Sequence, residues 1–145
     1  MIYTEVTKTA MQIAFKAHKE QVDKSGLPYI FHPYHLAEQM SDEVSVCVAL
    51  LHDVVEDTSI TFKDLTEQGI PETVIKTLRI LTHDSTVLYM DYIQNIKNSG
   101  DIVAVAVKLA DLYHNSDITR TDNTDAKTIV RIKKYKEAIK LLQSN

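Results

Sequence analysis

The sequence predicts an all-α, single-domain protein, and three observations support this prediction. Apolar residues recur at spacings of three and four rather than alternating, which is the period of amphipathic helices. Only 3 Gly and 3 Pro interrupt the chain, so few positions force a turn. The length of 145 residues is typical of one domain, and we therefore expect a single domain over residues 1–145.

The first half of the chain predicts three helices. The first runs from about Thr4 to Val22 and ends before a loop at 24–28 that contains both Gly and Pro. Pro33 suits the first turn of a short second helix, because its missing N–H needs no partner there. The third helix runs from about Asp42 to Glu56 and is almost wholly apolar until its end, so we expect it in the core.

Capping and punctuation residues then predict three more helices. Thr61 and Asp64 form a pattern resembling a capping box, with Asp in place of Glu, and it opens a short helix that ends at Gly69. Pro71 starts the next helix, and another extends from about Thr86 to Asn98. Each of these helices is bounded by a residue that cannot easily continue it.

The last third of the chain contains one ambiguous segment. Residues 102–107 are β-branched enough to favour a strand by propensity. We nevertheless predict a helix from its cap, Asp101, to about Ser116, because the apolar residues of 109–112 extend the segment to the length of a helix. Residues 115–125 are polar and turn-rich, and a terminal amphipathic helix follows.

Charge and hydropathy exclude several classes of function. The net charge of −4 argues against a general nucleic-acid binder, since such proteins need a basic surface to neutralise phosphates. A basic stretch at 127–140 is expected to be the solvated face of the last helix rather than a binding patch. No segment approaches the ~20 apolar residues that cross a bilayer, and residues 1–6 lack the pattern of a secretory signal. We therefore expect a cytoplasmic protein.

Cys47 is the single cysteine of the sequence. It can form no internal disulfide, and a thiolate-rich zinc site is excluded. Its neighbours are apolar, so we interpret it as a small core residue. The sequence gives no indication of the oligomeric state.

A cluster of ionisable residues lies at the C-terminal end of the apolar third helix. His52 and Asp53 are adjacent there, and Glu56 and Asp57 follow four residues after each of them. On a helix, residues four apart lie on the same face. Burying such a cluster is costly unless something compensates its charge, and a divalent cation is the natural compensation. The sequence therefore predicts a metal site.

Two histidines and two aspartates are the candidates to hold the ion: His32, His52, Asp53 and Asp111. Nitrogen and carboxylate ligands together suit Mn²⁺ or Fe²⁺, with Mg²⁺ or Zn²⁺ as alternatives, and they differ from the thiolates of structural zinc sites. An octahedral ion with four protein ligands keeps positions for water and for a phosphate oxygen.

Three segments together resemble the HD-domain superfamily: 25–33 (SGLPYIFHP), 49–58 (ALLHDVVEDT) and 107–115 (VKLADLYHN). More narrowly, they resemble the hydrolase domain of RelA/SpoT-type enzymes and their small stand-alone relatives, which remove the 3′-pyrophosphate of guanosine tetraphosphate. The resemblance extends from about Ala17 to Thr119. It implies an HD-domain helical bundle and Mn²⁺ held by the four candidate ligands.

The resemblance also assigns Glu56 and Asp57 to the chemistry. A carboxylate one turn beyond the ligands can orient and deprotonate the attacking water, although either residue could instead support a ligand histidine. Contacts with a small nucleotide substrate are expected from five residues: Lys24, Ser25, Asn115, Tyr29 and Lys108. Two alternatives stay open, because Lys24 could be a solvated loop residue and Lys108 could simply pair with a carboxylate.

Four positions depart from the RelA/SpoT pattern. Asp23 stands where the family has an arginine that stacks on guanine, and an acidic side chain cannot make that cation–π contact. Leu112 and Asp117 replace two further arginines, and Ile118 replaces a threonine. The resemblance makes a guanosine tetraphosphate 3′-pyrophosphohydrolase the leading function. The departures keep two alternatives open: another HD-type nucleotidase of different base specificity, or a catalytically silent nucleotide-binding module.

Intact Glu56 and Asp57 beside four intact ligands favour an enzyme over the silent module. No Gly-Tyr-Pro follows the His-Asp pair, which argues against a cyclic-dinucleotide phosphodiesterase. The remaining histidines are interpreted as structural: His18, His35, His83 and His114.

Overall fold

The computed structural model describes residues 1–122 and 124–145, and the regular structure of this part of the chain is helical, as predicted. The α-helices span α1 Glu5–Ala17, α2 Phe31–Glu38, α3 Glu43–Leu51, α4 Val54–Asp57, α5 Phe62–Glu67, α6 Glu72–Leu81, α7 Tyr89–Asn98, α8 Ile102–Asn115 and α9 Ala126–Gln143. A short 3₁₀ turn occupies Ile118–Arg120.

Helix α3 lies at the centre of the core, as its composition predicts. Residues 45–51 are all buried, and α1, α2, α6 and α8 pack around them. Cys47 is fully buried among them, and burial raises the pKa of its thiol to about 12, so it is a core residue as interpreted. The central helix therefore delivers His52, its C-terminal cap, into the middle of the bundle.

Side-chain caps begin several helices where the sequence predicts them. Thr61 and Asp64 form the predicted capping box of α5, whose chain turns at Gly69 with a φ of +93°. Asp101 Oδ1 accepts hydrogen bonds from the first free amides of α8, Val103 N and Ala104 N, each at 3.0 Å. The β-branched segment 102–107 is therefore helical, because the cap and the long apolar face outweigh strand propensity.

Two predicted boundaries are wrong. Helix α1 ends at Ala17 rather than near Val22, because the buried His18 hydrogen-bonds Gln21 in a turn and Val22 then pairs with Pro28 in an isolated antiparallel bridge. Helix α7 begins at Tyr89 rather than near Thr86. The amide and hydroxyl of Thr86 instead bond to the side chain of Asp84 in a local turn.

The predicted third helix, 42–56, is interrupted between α3 and α4. Nδ1 of His52 lies 2.7 Å from the carbonyl oxygen of Ala49, so the ring donates to an acceptor that an unbroken helix would offer to the amide of Asp53. The chain resumes helical geometry at α4, where the amide of Asp57 bonds to the carbonyl of Asp53 at 2.9 Å. The helical hydrogen bonds are therefore interrupted at His52 and Asp53, although both residues keep right-handed helical backbone angles.

The C-terminal part agrees with the sequence in outline. The predicted turn-rich segment 115–125 contains the 3₁₀ turn, and it includes Asn123, which lies outside the described residues. On α9 the lysines of the basic stretch are exposed, whereas Arg131 is half-buried. Among the described residues, no helix is long and apolar enough to span a membrane.

Candidate active site

The four predicted ligands come together from three parts of the chain. Candidate ligand atoms of His32 on α2, and of His52 and Asp53 after α3, all lie within 4.8 Å of one another. Asp111 reaches the same place from α8, with its Oδ1 3.0 Å from Nε2 of His32 and 3.7 Å from Nε2 of His52. The side chains of both histidines and of Asp111 are almost completely buried.

The environment of His52 fits a bound cation. Its Nδ1 donates to the carbonyl of Ala49, so in the neutral ring the lone pair is on Nε2. That nitrogen is buried without a hydrogen bond, 2.9 Å from Oδ2 of Asp53. Burial lowers the pKa of His52, but Asp53 and Asp111 outweigh it and raise the pKa well above its usual range. The two carboxylates therefore attract positive charge to this nitrogen, and a divalent ion would supply that charge.

Both ligand carboxylates are held by further side chains. The hydroxyl of Tyr29 donates to Oδ2 of Asp53. Nζ of Lys108 lies 2.7 Å from Oδ2 of Asp111, and Nδ2 of Asn115 donates to Oδ1 of Asp111 at 2.7 Å. Burial opposes ionisation of Asp111, but Lys108 together with His32 and His52 outweighs it, and the pKa of Asp111 lies well below its usual range. Three predicted substrate residues therefore contact candidate metal ligands.

Glu56 and Asp57 lie beside the ligand group, on its exposed side. Carboxylate oxygens of Asp53, Glu56 and Asp57 lie within 4.8 Å of one another. Glu56 is oriented by the backbone amide of His83, which donates to its Oε1 at 2.7 Å. Burial, followed by the charges of Asp53 and Glu56, raises the pKa of Asp57 to about 6. One carboxylate is thus fixed in place, and the pKa of the other is raised by its surroundings.

Two adjoining cavities open on these residues. The first cavity, of about 170 Å³, is lined by His52, Asp53, Glu56, Lys108 and Asp111 among others. The second cavity, of about 150 Å³, is lined by Lys24, Ser25, Tyr29, Asp117, Arg120 and Arg131 among others. Asn115 and Tyr135 line both, so the two cavities form neighbouring parts of one cleft.

The wall of the second cavity is a loop joined to the 3₁₀ turn. Oδ1 of Asp23 accepts hydrogen bonds from the amides of Ser25 and Leu27, at 2.8 and 3.0 Å. Nη2 of Arg120 lies 3.6 Å from the other oxygen of Asp23. The hydroxyl of Ser25 donates to the carbonyl of Arg120 at 2.5 Å. Asp23 and Ser25 therefore organise this wall.

The positive charge of the second cavity was only partly predicted. Lys24 lies there as expected, and burial followed by Arg131 and Lys134 lowers the pKa of Lys24. Arg120, Arg131 and Tyr135 were not among the predicted substrate residues. Their sequence signal is weak, since Arg131 and Tyr135 belong to a stretch that also fits a solvated helix face.

The departures from the RelA/SpoT pattern have different structural consequences. Leu112 is fully buried in the core, so this position does not line the cleft. Asp117 lines the second cavity and caps the 3₁₀ turn by accepting from the amide of Thr119 at 3.0 Å. Ile118 is 52% exposed. Asp23 organises the loop and lies beside Arg120, whose Nη2 is 3.6 Å from Oδ2 of Asp23.

His114 contacts the candidate ligand His32. The interpretation of His114 as a structural residue did not predict this contact. Its Nδ1 lies 2.7 Å from Nδ1 of His32. Burial, followed by the charge of Arg120, lowers the pKa of His114 to about 4. The buried His18 packs on Tyr29, with ring centroids 4.8 Å apart, in agreement with its structural interpretation.

Several curated proteins are similar to the chain. It is 32% identical over 126 residues to a protein of Myxococcus xanthus named GTP pyrophosphokinase, covering 77% of this chain and 17% of that protein. It is 34% identical over 118 residues to a guanosine-3′,5′-bis(diphosphate) 3′-pyrophosphohydrolase of Spiroplasma citri, covering 73% and 16%. Over 121 residues it is 33% identical to the bifunctional (p)ppGpp synthase/hydrolase SpoT of Escherichia coli K12, covering 74% and 17%.

This chain is a homologue of the RelA/SpoT-type enzymes. It spans less than a fifth of the length of these relatives. No protein-family model matches the chain.

A solved structure confirms the predicted HD fold of this RelA/SpoT homologue. That structure is of a metazoan SpoT orthologue described as hydrolysing ppGpp, and it superposes with a TM-score of 0.77 at 24% identity. The similarity covers 98% of this chain and 85% of the other. The helical arrangement is therefore shared along nearly the whole chain.

Proposed function

We propose that this RelA/SpoT homologue is a divalent-metal-dependent phosphohydrolase acting on a small phosphorylated nucleotide, with guanosine 3′,5′-bis(diphosphate) as the leading substrate. The observation on which the proposal rests is the convergence of two buried imidazoles and two carboxylates beside Glu56 and Asp57 in one cleft. The names of the similar pyrophosphohydrolases support the choice of substrate.

Mn²⁺ is the proposed ion, and His32, His52, Asp53 and Asp111 are its proposed ligands. The mixture of imidazole and carboxylate suits Mn²⁺ or Fe²⁺, while Mg²⁺ and Zn²⁺ are the alternatives to test. When bound, the ion would supply Lewis acidity that polarises a phosphoryl oxygen and acidifies water. Tyr29 would keep Asp53 in position, and Lys108 and Asn115 would do the same for Asp111.

Glu56 and Asp57 are the proposed groups that orient and deprotonate the attacking water. The pKa of Asp57, about 6, is close to the working pH that general-base catalysis favours. A cation beside Asp53 would offset the part of this shift that Asp53 causes. Water would attack the phosphorus on the 3′ side, and the bond from phosphorus to the ribose oxygen would break. The ribose oxygen takes a proton, and guanosine diphosphate and pyrophosphate are released.

The second cavity is the proposed site for the remaining part of the nucleotide. Lys24, Arg120 and Arg131 give it positive charge that suits phosphate groups, and Tyr135 adds an aromatic face where the two cavities meet. We assign Lys24 to the substrate. Ser25 is assigned to the loop, because its hydroxyl already donates to the carbonyl of Arg120.

A nucleotidase with a different base specificity is the second candidate. Two acidic residues, Asp23 and Asp117, line the second cavity, and Asp23 stands where the RelA/SpoT pattern has an arginine that stacks on guanine. Neither feature affects the residues around the proposed metal. The two candidates therefore share one reaction centre and differ only in what the second cavity recognises.

Turnover of a nucleotide panel tests the proposal. The protein is loaded with Mn²⁺, and release of pyrophosphate and of phosphate is followed from guanosine 3′,5′-bis(diphosphate), its adenosine counterpart, GTP and ATP. We expect pyrophosphate release from the first compound to exceed all others, and the Glu56→Gln variant serves as the inactive control. Equal rates on the guanosine and adenosine compounds would favour the nucleotidase. Mn²⁺ binding without turnover of any compound would contradict an enzyme and favour the silent module.

A further inference from the structure

We propose that His114 is a positioning residue that fixes the tautomer and orientation of His32 for metal binding. The inference rests on the proposed metal centre and extends it to a histidine outside the ligand set. It starts from a contact between two imidazole nitrogens that packing alone does not require.

The contact is a hydrogen bond between the edges of two rings. Nδ1 of His32 and Nδ1 of His114 are 2.7 Å apart, and the ring planes differ by only 5°. Stacked parallel rings would keep their atoms about 3.5 Å or more apart. The shorter separation therefore indicates rings that meet edge to edge, with one nitrogen donating and the other accepting.

The direction of this hydrogen bond follows from the other nitrogen of His32. Nε2 of His32 faces the ligand group, 3.0 Å from Oδ1 of Asp111, so it is the nitrogen available to a metal. A neutral imidazole has one N–H and one lone pair. When a bound ion takes the lone pair of Nε2 in place of the contact with Asp111, the single proton of the neutral ring resides on Nδ1 of His32 and is donated to Nδ1 of His114.

Two neighbouring residues contact His114. The ring of His35 stacks on it with centroids 4.2 Å apart. Nη1 of Arg120 donates to the backbone carbonyl of His114 at 2.8 Å, at the end of α8. His114 thus does for His32 what the carbonyl of Ala49 does for His52, and each proposed histidine ligand has an acceptor for its second nitrogen.

Three variants separate a hydrogen-bonding role from a packing role. His114→Leu removes the acceptor, whereas His114→Asn can place an amide oxygen near the position of Nδ1. His35→Leu is the matched control, because it removes the neighbouring stacked ring and leaves the contact between His32 and His114. Mn²⁺ affinity of each folded protein is measured by electron paramagnetic resonance of the free ion.

We expect His114→Leu to weaken Mn²⁺ binding about 10- to 100-fold, the usual effect of losing such a partner. His114→Asn and His35→Leu should bind Mn²⁺ nearly as wild type does. Nitrogen-15 NMR of the wild-type protein loaded with diamagnetic Mg²⁺ or Zn²⁺ should show His32 protonated on Nδ1.

Unchanged Mn²⁺ affinity in folded His114→Leu would overturn the inference and leave the metal centre intact. If that variant does not fold, weak binding by His114→Asn, or a wild-type His32 protonated on Nε2 in the metal-loaded protein, would overturn it equally. Failure of the wild-type protein to bind any divalent ion would instead contradict the proposed metal centre itself, and the inference with it.

Discussion

The two cavities of the cleft are built from different kinds of structure. The first cavity is lined by side chains at the end of the central helix α3 and on α8, and its proposed ligands each have a hydrogen-bond partner. The second cavity is lined by the loop at 23–29, by residues at the 3₁₀ turn and by one face of α9, and most of these side chains are half-buried. Asn115 and Tyr135 are the side chains common to both.

This difference separates the proposed chemistry from the proposed recognition. Charged groups of the first cavity are fixed by buried partners before any substrate arrives, as an electrostatic reaction centre requires. Of the four departures from the RelA/SpoT pattern, none alters a proposed ligand or a proposed catalytic carboxylate. Loops tolerate substitution better than the elements they connect, so specificity can change there while the reaction is kept.

Removing the divalent ion should lower turnover more than any substitution considered below, because its proposed ligands lie at the first cavity. Chelation is expected to lower turnover by roughly 10³-fold, because several kcal/mol of transition-state stabilisation would be lost. Pyrophosphate release is measured with EDTA and again after adding back Mn²⁺, Fe²⁺, Mg²⁺ or Zn²⁺. Full activity in the presence of the chelator would show that the first cavity works without a metal.

Replacing Glu56 by Gln should cause the next largest loss of turnover. We expect kcat to fall by about 10²- to 10⁴-fold, the usual contribution of general acid–base catalysis, while Mn²⁺ affinity stays unchanged. The exposed Glu67 on α5 provides the control, and Glu67→Gln should behave as wild type. A Glu56→Gln variant with normal kcat would transfer the role of base to Asp57.

Replacing Arg131 by Ala tests the second cavity alone. The variant should raise KM by about 10-fold or more, since a hydrogen bond to a charged group contributes ~1.5–3 kcal/mol. Its kcat and Mn²⁺ affinity should not change. Lys133→Ala, at an exposed position of the same helix, is the control. A large fall in kcat with unchanged KM would contradict the division of labour between the cavities.

Substituting two aspartate caps compares how much helix α3 and the 3₁₀ turn contribute to the stability of the fold. Asp42 caps the central helix α3, and hydrogen bonds from Ser45 lower the pKa of Asp42. Asp117 caps the 3₁₀ turn, and hydrogen bonds from Thr119 lower the pKa of Asp117 in the same way. Asp42→Ala should lower the free energy of unfolding by about 1 kcal/mol at pH 7. We expect a smaller loss from Asp117→Ala, since the 3₁₀ turn has no buried residue.

The pH dependence of this effect has a definite sign. A carboxyl with a lowered pKa in the folded state stabilises the protein above its unfolded pKa, and the contribution is lost as the pH falls through the folded value. The difference between wild type and Asp42→Ala should therefore shrink below about pH 4 in denaturant titrations. A difference that is independent of pH would mean that the cap acts without its charge.

Helical periodicity and capping residues make most of this fold predictable from the sequence. The long apolar faces of α6 and α8 and the caps Thr61 and Asp101 follow from local rules, which the structure obeys. The break after α3 could not be predicted in this way. It depends on a hydrogen bond from the ring of His52 to the carbonyl of Ala49, which replaces a backbone hydrogen bond of the helix. Hydrophobic periodicity gives no information about this replacement.

The candidate site was predictable only where motif residues are themselves ionisable. His52 and Asp53 could be named because buried charge needs compensation, and His32 and Asp111 could be named because their segments resemble those of the HD-domain superfamily. The pairing of Lys108 with Asp111 was one of the alternatives from the sequence, because the two residues are one helical turn apart. The contacts of Tyr29 with Asp53 and of His114 with His32 could not be assigned, because these partners are distant in sequence. The place of Arg131 in the second cavity could not be predicted either, because the sequence of a basic helix face is the same whether that face contacts solvent or a cavity.

Mn²⁺ affinity and turnover of Asp53→Ala, measured on the same folded sample, test the central claim most directly. The carboxylate of Asp53 is a proposed ligand and borders both catalytic carboxylates, so we expect the variant to lose Mn²⁺ binding and pyrophosphate release together. Asp91→Asn, on the exposed start of α7, should retain both. Turnover that persists in Asp53→Ala would contradict the proposed ligand set, and with it the reaction centre placed in the first cavity.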